Sequence, residues 1–323
     1  RAALNRVRLT SVSELAQLRR RFLNAATADR SGGARTTGVR WWIKYCVFGR
    51  STSPFTRCGK DATLQEMVEA EQLLMDFCLW LATEKPSGRS ISAKTIGKYV
   101  SQIRAWHLRE FRTPICGDLD SKQLNDLLRG VCRLVEQPQK LRRWGVRTQD
   151  LSAAVQRFLH CSHPEDAMWA AALQSAFCGL LRGAEFALQA GESFSPEVNL
   201  SRADLKFRTG SDGVEYAIIM IRVAKGKPGA GKVTPLILGG GGTMLDAVKA
   251  LKAMVAIDPV EPQQEATTPL FRRASGAAIT VPEVRAMVKA LMGMLGLDAR
   301  RFGAHSMRIG GASAALAAGV PAS

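Results

Sequence analysis

The chain has 323 residues, of which 46% are hydrophobic and 23% are charged, a balance typical of a folded globular protein and inconsistent with wholesale disorder. It carries 45 Lys and Arg against 28 Asp and Glu, a formal net charge of +17. The excess is uneven, with 27 basic and 14 acidic side chains in residues 1–150 against 18 and 14 in residues 151–323. Solubility alone needs less charge than this, so the composition favours a nucleic-acid partner over a merely solvated surface.

The cysteines and apolar stretches predict a reduced, intracellular protein that needs no metal, cofactor or membrane. The seven cysteines (46, 58, 78, 116, 132, 161 and 178) have irregular spacing and no CxxC pair. His160, Cys161 and His163 suggest zinc, but no second ligand cluster accompanies them, so we interpret them as a helix end. The longest apolar stretch, Met168–Leu181, is too short to cross a bilayer, and no signal peptide is visible. Because the first residue is Arg rather than Met, we expect a fragment.

The first half is predicted to be a basic, all-helical domain over residues 1–140. The apolar spacing predicts helices over residues 1–32, Thr36–Phe48, Leu64–Ala82, Ser92–Phe111 and Ser121–Glu136. The helix at Ser92–Phe111 has a clear apolar stripe, and its Lys94, Lys98 and Arg104 are available for solvent or phosphate. We therefore predict that these three side chains bind DNA.

A basic linker is predicted at residues 141–147, within the segment Gln137–Arg147, in which Pro138 and Gly145 interrupt the periodic pattern. Its Arg142 and Arg143 are further candidate DNA-binding residues. The composition suits a strap along a duplex, although a solvated hinge would have the same composition.

The second half is predicted to combine helices with a small β-hairpin. Its predicted helices are Thr148–Leu159, Glu165–Ala187, Met244–Ile257 and Pro282–Leu295, and its predicted strands are Tyr216–Val223 and Val233–Leu238. Thr280 and Glu283 form a capping-box pattern at the start of the last of these helices. The expected fold class is therefore mainly α with a small β-sheet, an α+β protein.

Residues Gly226–Val233 (GKPGAGKV) nearly match a phosphate-binding P-loop. The last position is Val233, where a P-loop needs a hydroxyl for magnesium, and a strand follows where a P-loop opens a helix. A hairpin turn is the preferred interpretation. A P-loop hydrolase that binds ATP through Lys232 stays a minor alternative.

Two short motifs carry the candidate chemistry. Phe177–Phe186 (FCGLLRGAEF) places Arg182 and Glu185 three residues apart in an apolar helix, where a mutual salt bridge is the alternative interpretation. Phe302–Ser313 (FGAHSMRIGGAS) places His305 and Arg308 on one helical face, and the small residues behind them allow close packing. Alone, a His and an Arg at this spacing are more often ordinary surface residues.

Taken together, the two motifs resemble the catalytic boxes of tyrosine recombinases (the phage-integrase family), with a weaker likeness to the eukaryotic transposon-borne branch. That family has a lysine-bearing β-hairpin between the boxes, and here the hairpin carries Lys225, with Lys227 as the alternative. Ser90–His107 resembles the helical DNA-clamp domain of the family. The resemblance implies a DNA-clamp domain at residues 1–140 and a catalytic domain at residues 148–323.

The resemblance implies strand cleavage and rejoining in DNA recombination or integration, by a homotetramer on paired sites of double-stranded DNA, in the nucleus if the source is eukaryotic. Arg182 and Arg308 are expected to hold the phosphate oxygens, and His305 to donate a further hydrogen bond. Lys225 is expected to protonate the leaving 5′ oxygen, and Glu185 to orient the basic residues. Side-chain cations replace a metal ion in this chemistry.

The family's nucleophile is a tyrosine after the second box, and this chain has only Tyr45, Tyr99 and Tyr216, all of which precede Arg308. We therefore expect the catalytic domain to be incomplete at its C-terminus and this fragment to be inactive in cleavage. The alternatives are a DNA-binding remnant of a recombinase without catalysis and a structural or scaffold protein.

Overall fold

The computed structural model describes residues 29–54, 62–84, 91–116, 122–135, 141–158, 163–222, 233–242 and 244–320. The chain divides into two compact units, Arg1–Lys140 and Leu141–Ser323, and the predicted linker 141–147 falls in the second. The helix predicted over residues 1–32 lies almost wholly outside the described residues. None of the described helices has the length and apolar character that a membrane crossing requires.

The described part of the first unit is helical. Its helices are α1 (Asp29–Lys44, continued by a π-helical turn at Tyr45–Gly49), α2 (Leu64–Thr83), α3 (Ala93–Phe111) and α4 (Lys122–Leu134). Thr63 and Glu66 form a reciprocal capping box at the start of α2, and the Ser92 hydroxyl accepts from the Thr95 N–H at the start of α3. These caps explain why the two helices begin where they do.

An aromatic core holds the helices of the first unit together. The Trp42 ring is fully buried and meets Phe77 edge-on at 5.4 Å between centroids, and its indole N–H donates to the carbonyl of Pro54. Helix α1 crosses α3 at Gly38, where an added Cβ would lie 2.8 Å from the Cα of Tyr99. The crossing therefore requires glycine at position 38.

The second unit surrounds one buried helix with further helices and a sheet. Its helices are α5 (Thr148–Val155), α6 (Pro164–Cys178), α7 (Gly183–Phe186), α8 (Ala247–Ile257), α9 (Val281–Met294) and α10 (His305–Ala317), with 3-10 turns at Arg202–Asp204 and Ala299–Arg301. Helix α6 is buried from Ala167 to Phe177, and α8 and α10 pack against it. The predicted fold class, mainly α with a small β-sheet, is confirmed.

The sheet is antiparallel with the order β1–β2–β3, formed by Leu205–Thr209, Glu215–Ile221 and Thr234–Gly239. Ile219 pairs with Leu205 on one side and Leu236 on the other, which confirms the predicted hairpin between β2 and β3. The sequence analysis missed β1. Its alternation of Leu205 and Phe207 with charged residues was the available signal, but five residues are too few to stand out.

The predicted helix Glu165–Ala187 is wrong, because α6 ends at Cys178 and Arg182 begins a separate turn of helix. Leu180 has the left-handed conformation (φ +51°), the N–H of Leu180 donates to Phe177, and the N–H of Leu181 donates to Ala176. This is a Schellman termination with leucine where glycine is usual, at a cost of about 1 kcal/mol. The apolar Leu180 and Leu181 continue the helical pattern and so concealed the break.

Four further helix boundaries can be compared with the predictions. Helix α5 ends at Val155 rather than Leu159, and α8 begins at Ala247 rather than Met244 because the Asp246 carboxylate caps the Lys249 N–H. The capping box of Thr280 and Glu283 at the start of α9 is confirmed. His163 caps α6 by accepting the Glu165 N–H, and no metal-binding group of His, Cys, Asp or Glu occurs in the described part of the chain. His160 and Cys161 lie outside it.

Helix α10 lies in close contact with its neighbours at Gly310 and Gly311. A Cβ at Gly311 would come within 3.0 Å of the carbonyl oxygen of Phe177, and one at Gly310 within 3.0 Å of the carbonyl oxygen of Val146. The predicted close packing behind His305 and Arg308 is therefore confirmed at these two glycines.

We predict that Gly311→Ala destabilises the protein by about 1–3 kcal/mol, because its methyl group would overlap the backbone at the end of α6. Urea unfolding followed by tryptophan fluorescence measures the change. The matched control is Gly130→Ala in α4, where an added Cβ has no neighbour within 4 Å. That change should stabilise its helix by about 0.5–1 kcal/mol. Equal effects of the two substitutions would contradict the close approach of α10.

Candidate functional site

Arg182 and Glu185 form a compact unit at the start of α7. The carboxylate of Glu185 accepts from the backbone N–H of Arg182 and from its guanidinium Nη1, each at 2.8 Å. The Glu185 side chain is only 10% exposed, whereas that of Arg182 is 42% exposed. Glu185 therefore holds one side of the Arg182 guanidinium in place, and the remaining N–H groups of that guanidinium are directed elsewhere. The salt bridge considered in the sequence analysis exists.

Arg308 reaches the same turn from α10. Its guanidinium Nη1 donates to the carbonyl oxygen of Leu180, the left-handed residue two positions before Arg182. No other hydrogen bond of the Arg308 guanidinium is found among the described residues, so most of its five donors are available to a ligand. The two arginines predicted from the separate motifs thus border one turn.

His305 begins α10 and is exposed. The residue before it, Ala304, lies against Gly183, whose added Cβ would be 3.4 Å from the Cβ of Ala304. Ala304, the neighbour of His305, therefore contacts Gly183, the neighbour of Arg182. Both motifs thus contribute residues that border the turn between α6 and α7. Lys225 and Lys227, like Lys232 of the near P-loop motif, lie outside the described residues.

The end of β2 is anchored just before the position of Lys225. The Asp204 side chain is 5% exposed and accepts two hydrogen bonds from Ser201 and a bidentate contact from Arg222, the last residue described in that segment. This contact was not predicted, because Asp204 precedes β1 and Arg222 follows β2, and no local sequence pattern links the two positions.

A second ion-pair network joins three parts of the second unit. Arg272 binds Asp258 through Nε and Nη2 at 2.9 and 2.6 Å, and Nη2 of the buried Arg202 lies 2.7 Å from the same carboxylate. Hydrogen bonding from Arg272 holds the pKa of Asp258 below its ordinary value, and burial lowers the pKa of Arg202. Asp258 is therefore the one carboxylate that both guanidinium groups share in the described structure.

The predicted DNA-binding residues lie in both units. On α3, Lys94 and Lys98 are exposed one turn apart, whereas Arg104 is half-buried and close enough to Cys78 to lower the pKa of that thiol, which burial raises to about 12. Arg104 thus does not share the exposed face of the two lysines. In the second unit, Arg142 and Arg143 are both exposed.

The three tyrosines of the chain lie in three different elements. Tyr45 is 4% exposed in the aromatic core of the first unit, and burial raises its pKa. Tyr99 lies on α3, and Tyr216 pairs with Gly239 and Arg208 in the sheet.

No family model and no curated protein matches this chain. Among solved structures it is similar to the XerH site-specific recombinase bound to palindromic difH substrate in a post-cleavage complex, at 16% identity and a TM-score of 0.48 over 74% of this chain and 59% of that one. A second XerH structure, the pre-cleavage complex with difH, has 12% identity and a TM-score of 0.38 over 80% of this chain and 87% of that one. The chain thus spans 59% of the length of the first of these neighbours.

We predict that Asp258→Asn destabilises the protein by about 3 kcal/mol at pH 7, because the buried Arg202 loses its carboxylate partner. The folded-state pKa of Asp258 lies below its unfolded value of about 3.9, so the stability that it contributes is present above that pH and is lost as the pH falls. The difference in the free energy of unfolding between Asp258→Asn and the unsubstituted protein should therefore shrink below about pH 4. Urea unfolding at several pH values measures it.

Glu197→Gln is the control for this prediction, since Glu197 is exposed and has no ion pair among the described residues. It should change stability by less than about 0.5 kcal/mol. If the difference in the free energy of unfolding between Asp258→Asn and the unsubstituted protein stays constant down to pH 3, the ion pairing of Asp258 with Arg202 and Arg272 is contradicted.

Proposed function

We propose that this chain is the DNA-binding and phosphate-holding part of a tyrosine recombinase that breaks and rejoins DNA strands. The observation that supports the proposal is that Arg182 and Arg308 border the same turn after α6, where Ala304, the neighbour of His305, contacts Gly183. Two guanidinium groups with free donors at one place match the geometry of a phosphate. The formal charge of +17 suits a DNA partner.

The proposed chemistry is attack of a tyrosine hydroxyl on a DNA phosphodiester. Negative charge builds on the non-bridging oxygens, and Arg182 and Arg308 stabilise it without losing their own charge. His305 donates a further hydrogen bond, and Lys225 supplies the proton that the departing 5′ oxygen takes. The product is a 3′-phosphotyrosine, which the 5′ hydroxyl of a partner strand attacks to rejoin the DNA. Glu185 positions Arg182.

The nucleophile is not assigned to any tyrosine of this chain. Tyr45 is buried in the aromatic core, and Tyr99 and Tyr216 belong to α3 and β2. A second candidate function is a recombinase-derived protein that binds DNA without cleaving it, which the formal charge of +17 supports equally. The two functions share the DNA-binding step and differ only in covalent chemistry. Assembly as a tetramer on paired DNA sites belongs to the first proposal.

We predict strongly salt-dependent binding of duplex DNA. For six or more phosphate contacts, affinity should fall by about 10³-fold or more between 50 and 200 mM salt, because each contact releases condensed counterions. Fluorescence anisotropy with a labelled duplex measures the slope of log affinity against log salt. A duplex with uncharged methylphosphonate linkages is the control and should bind weakly without this slope. Affinity that changes less than about threefold would contradict the DNA-binding proposal.

We predict that Arg308→Lys abolishes cleavage while sparing DNA binding. Lysine keeps the charge but lacks the planar guanidinium with its paired N–H donors, so covalent complex formation should fall by about 10²-fold or more. The test uses the product of the complete coding sequence that contains this chain, with a nicked duplex that traps the covalent complex. The control is Arg208→Lys, an exposed arginine on β1, which should cleave normally. A complete protein that binds DNA but forms no covalent complex would establish the second candidate function.

A further inference from the structure

A basic and aromatic surface on the second unit surrounds Gly303. A Cβ built on Gly303 would lie 3.6 Å from Cγ of Arg285, which projects from α9, and 3.8 Å from Nη1 of Arg143, in the segment before α5. Both arginines are exposed, and neither has an ion pair in the described structure. The fold therefore brings two arginines without ion-pair partners among the described residues, from distant parts of the chain, to the two sides of one glycine.

A third arginine and an exposed indole complete this surface. The guanidinium of Arg301 lies over the ring of Trp144 at 4.5 Å from its centroid, and the backbone N–H of Trp144 donates to the Arg301 carbonyl at 2.9 Å. The N–H of Val146 likewise donates to the carbonyl of Ser306. Trp144 stays 43% exposed although a tryptophan usually buries its ring. We call Arg143, Trp144, Arg285 and Arg301 the Gly303 cluster.

Nearby acidic charge does not cancel the cluster. Asp298 binds Arg300 through Oδ1 at 2.9 Å and reaches Arg301 only at 3.5 Å. Asp298 thus offsets part of the charge of Arg300 and Arg301, whereas Arg143 and Arg285 have no such partner among the described residues. Two guanidinium groups with free donors bind phosphate oxygens well, and an indole adds a face for a sugar or base.

The cluster borders the candidate site without sharing its residues. Gly303 precedes His305 by two residues, so their Cα atoms are at most about 7 Å apart. A nucleic-acid strand bound beside His305 would therefore be within reach of the cluster. The Gly303 cluster lies along the chain segment that leads to His305.

We propose that the Gly303 cluster is a second phosphate site, which binds the duplex DNA backbone beside the phosphate held by Arg182 and Arg308. This inference rests on the proposed function and adds Arg285, Arg301 and Trp144 to the residues that contact DNA. It also gives the segment at residues 141–147 a definite role. Its backbone is bonded to the second unit, so Arg143 is presented by a fixed element.

Salt-dependent DNA binding by the full chain tests the cluster. The double variant Arg143→Gln with Arg285→Gln should reduce the slope of log affinity against log salt by about 1.8, since each phosphate contact contributes about 0.9. The variant with lysine at both positions keeps the charges and should keep the slope. The matched control removes two exposed charges elsewhere on the same unit, by Arg208→Gln with Lys249→Gln, and should change the slope by less than half as much.

Tryptophan fluorescence gives an independent readout of the same surface. The chain has six tryptophans, and DNA at the cluster should change the emission of Trp144. Trp144→Phe should therefore diminish the emission change that saturating duplex DNA produces. As a control for folding, the lysine and glutamine variants should keep the unfolding temperature of the unsubstituted protein. An undiminished emission change in Trp144→Phe would overturn the placement of DNA at the indole.

The outcomes separate this inference from the proposed function. In one outcome, the unsubstituted chain binds DNA with a steep salt dependence while Arg143→Gln with Arg285→Gln leaves the slope of log affinity against log salt unchanged. That result overturns the phosphate site at the Gly303 cluster and leaves the proposed function standing. No binding of duplex DNA by the unsubstituted chain overturns both. If the glutamine variant reduces the salt slope by about 1.8 and the lysine variant keeps it, the two arginines contact phosphate through their charge. That result excludes a merely structural role for them.

Discussion

The hydrogen bond from Arg308 to the carbonyl of Leu180 joins the two halves of the candidate site. It forms because α6 ends in a left-handed leucine, which turns that carbonyl out of the helix and toward α10. The same turn delivers Arg182 as the cap of the next helix, with Glu185 holding its guanidinium. One strained helix end therefore brings together two arginines that are far apart in sequence, and the cost of about 1 kcal/mol is offset by a charge-assisted hydrogen bond.

Close backbone approach makes this arrangement rigid. Gly311 brings α10 against the end of α6, and Gly310 brings it against Val146, so that neither contact tolerates a side chain. The segment that the sequence presents as a linker is consequently bonded along the start of α10, through the N–H of Val146. A site held by backbone contacts of this kind keeps its donors in place before a ligand arrives, which is what charge stabilisation requires.

The arginines of the second unit fall into two groups with different physical roles. Arg202, Arg222 and Arg272 are committed to Asp204 and Asp258, and they connect the sheet to the loops around it. The arginines around Gly303 and the α6–α7 turn keep donors that protein groups do not satisfy. The bidentate contacts of Arg222 and Arg272 offset their charge within the protein, whereas a guanidinium with unused donors keeps them for a polyanion.

The sequence by itself determined the helical character, the hairpin, the α9 capping box and the two motifs, because periodicity, capping and small-residue spacing are local properties. It also singled out Arg182, His305 and Arg308 as candidates. Only the tertiary structure decided that α6 stops before Arg182, that residues of the two motifs border one turn, and that Arg143 and Arg285 both lie beside Gly303. These features depend on a left-handed backbone, on glycine contacts between distant segments and on side-chain exposure, none of which a local pattern encodes.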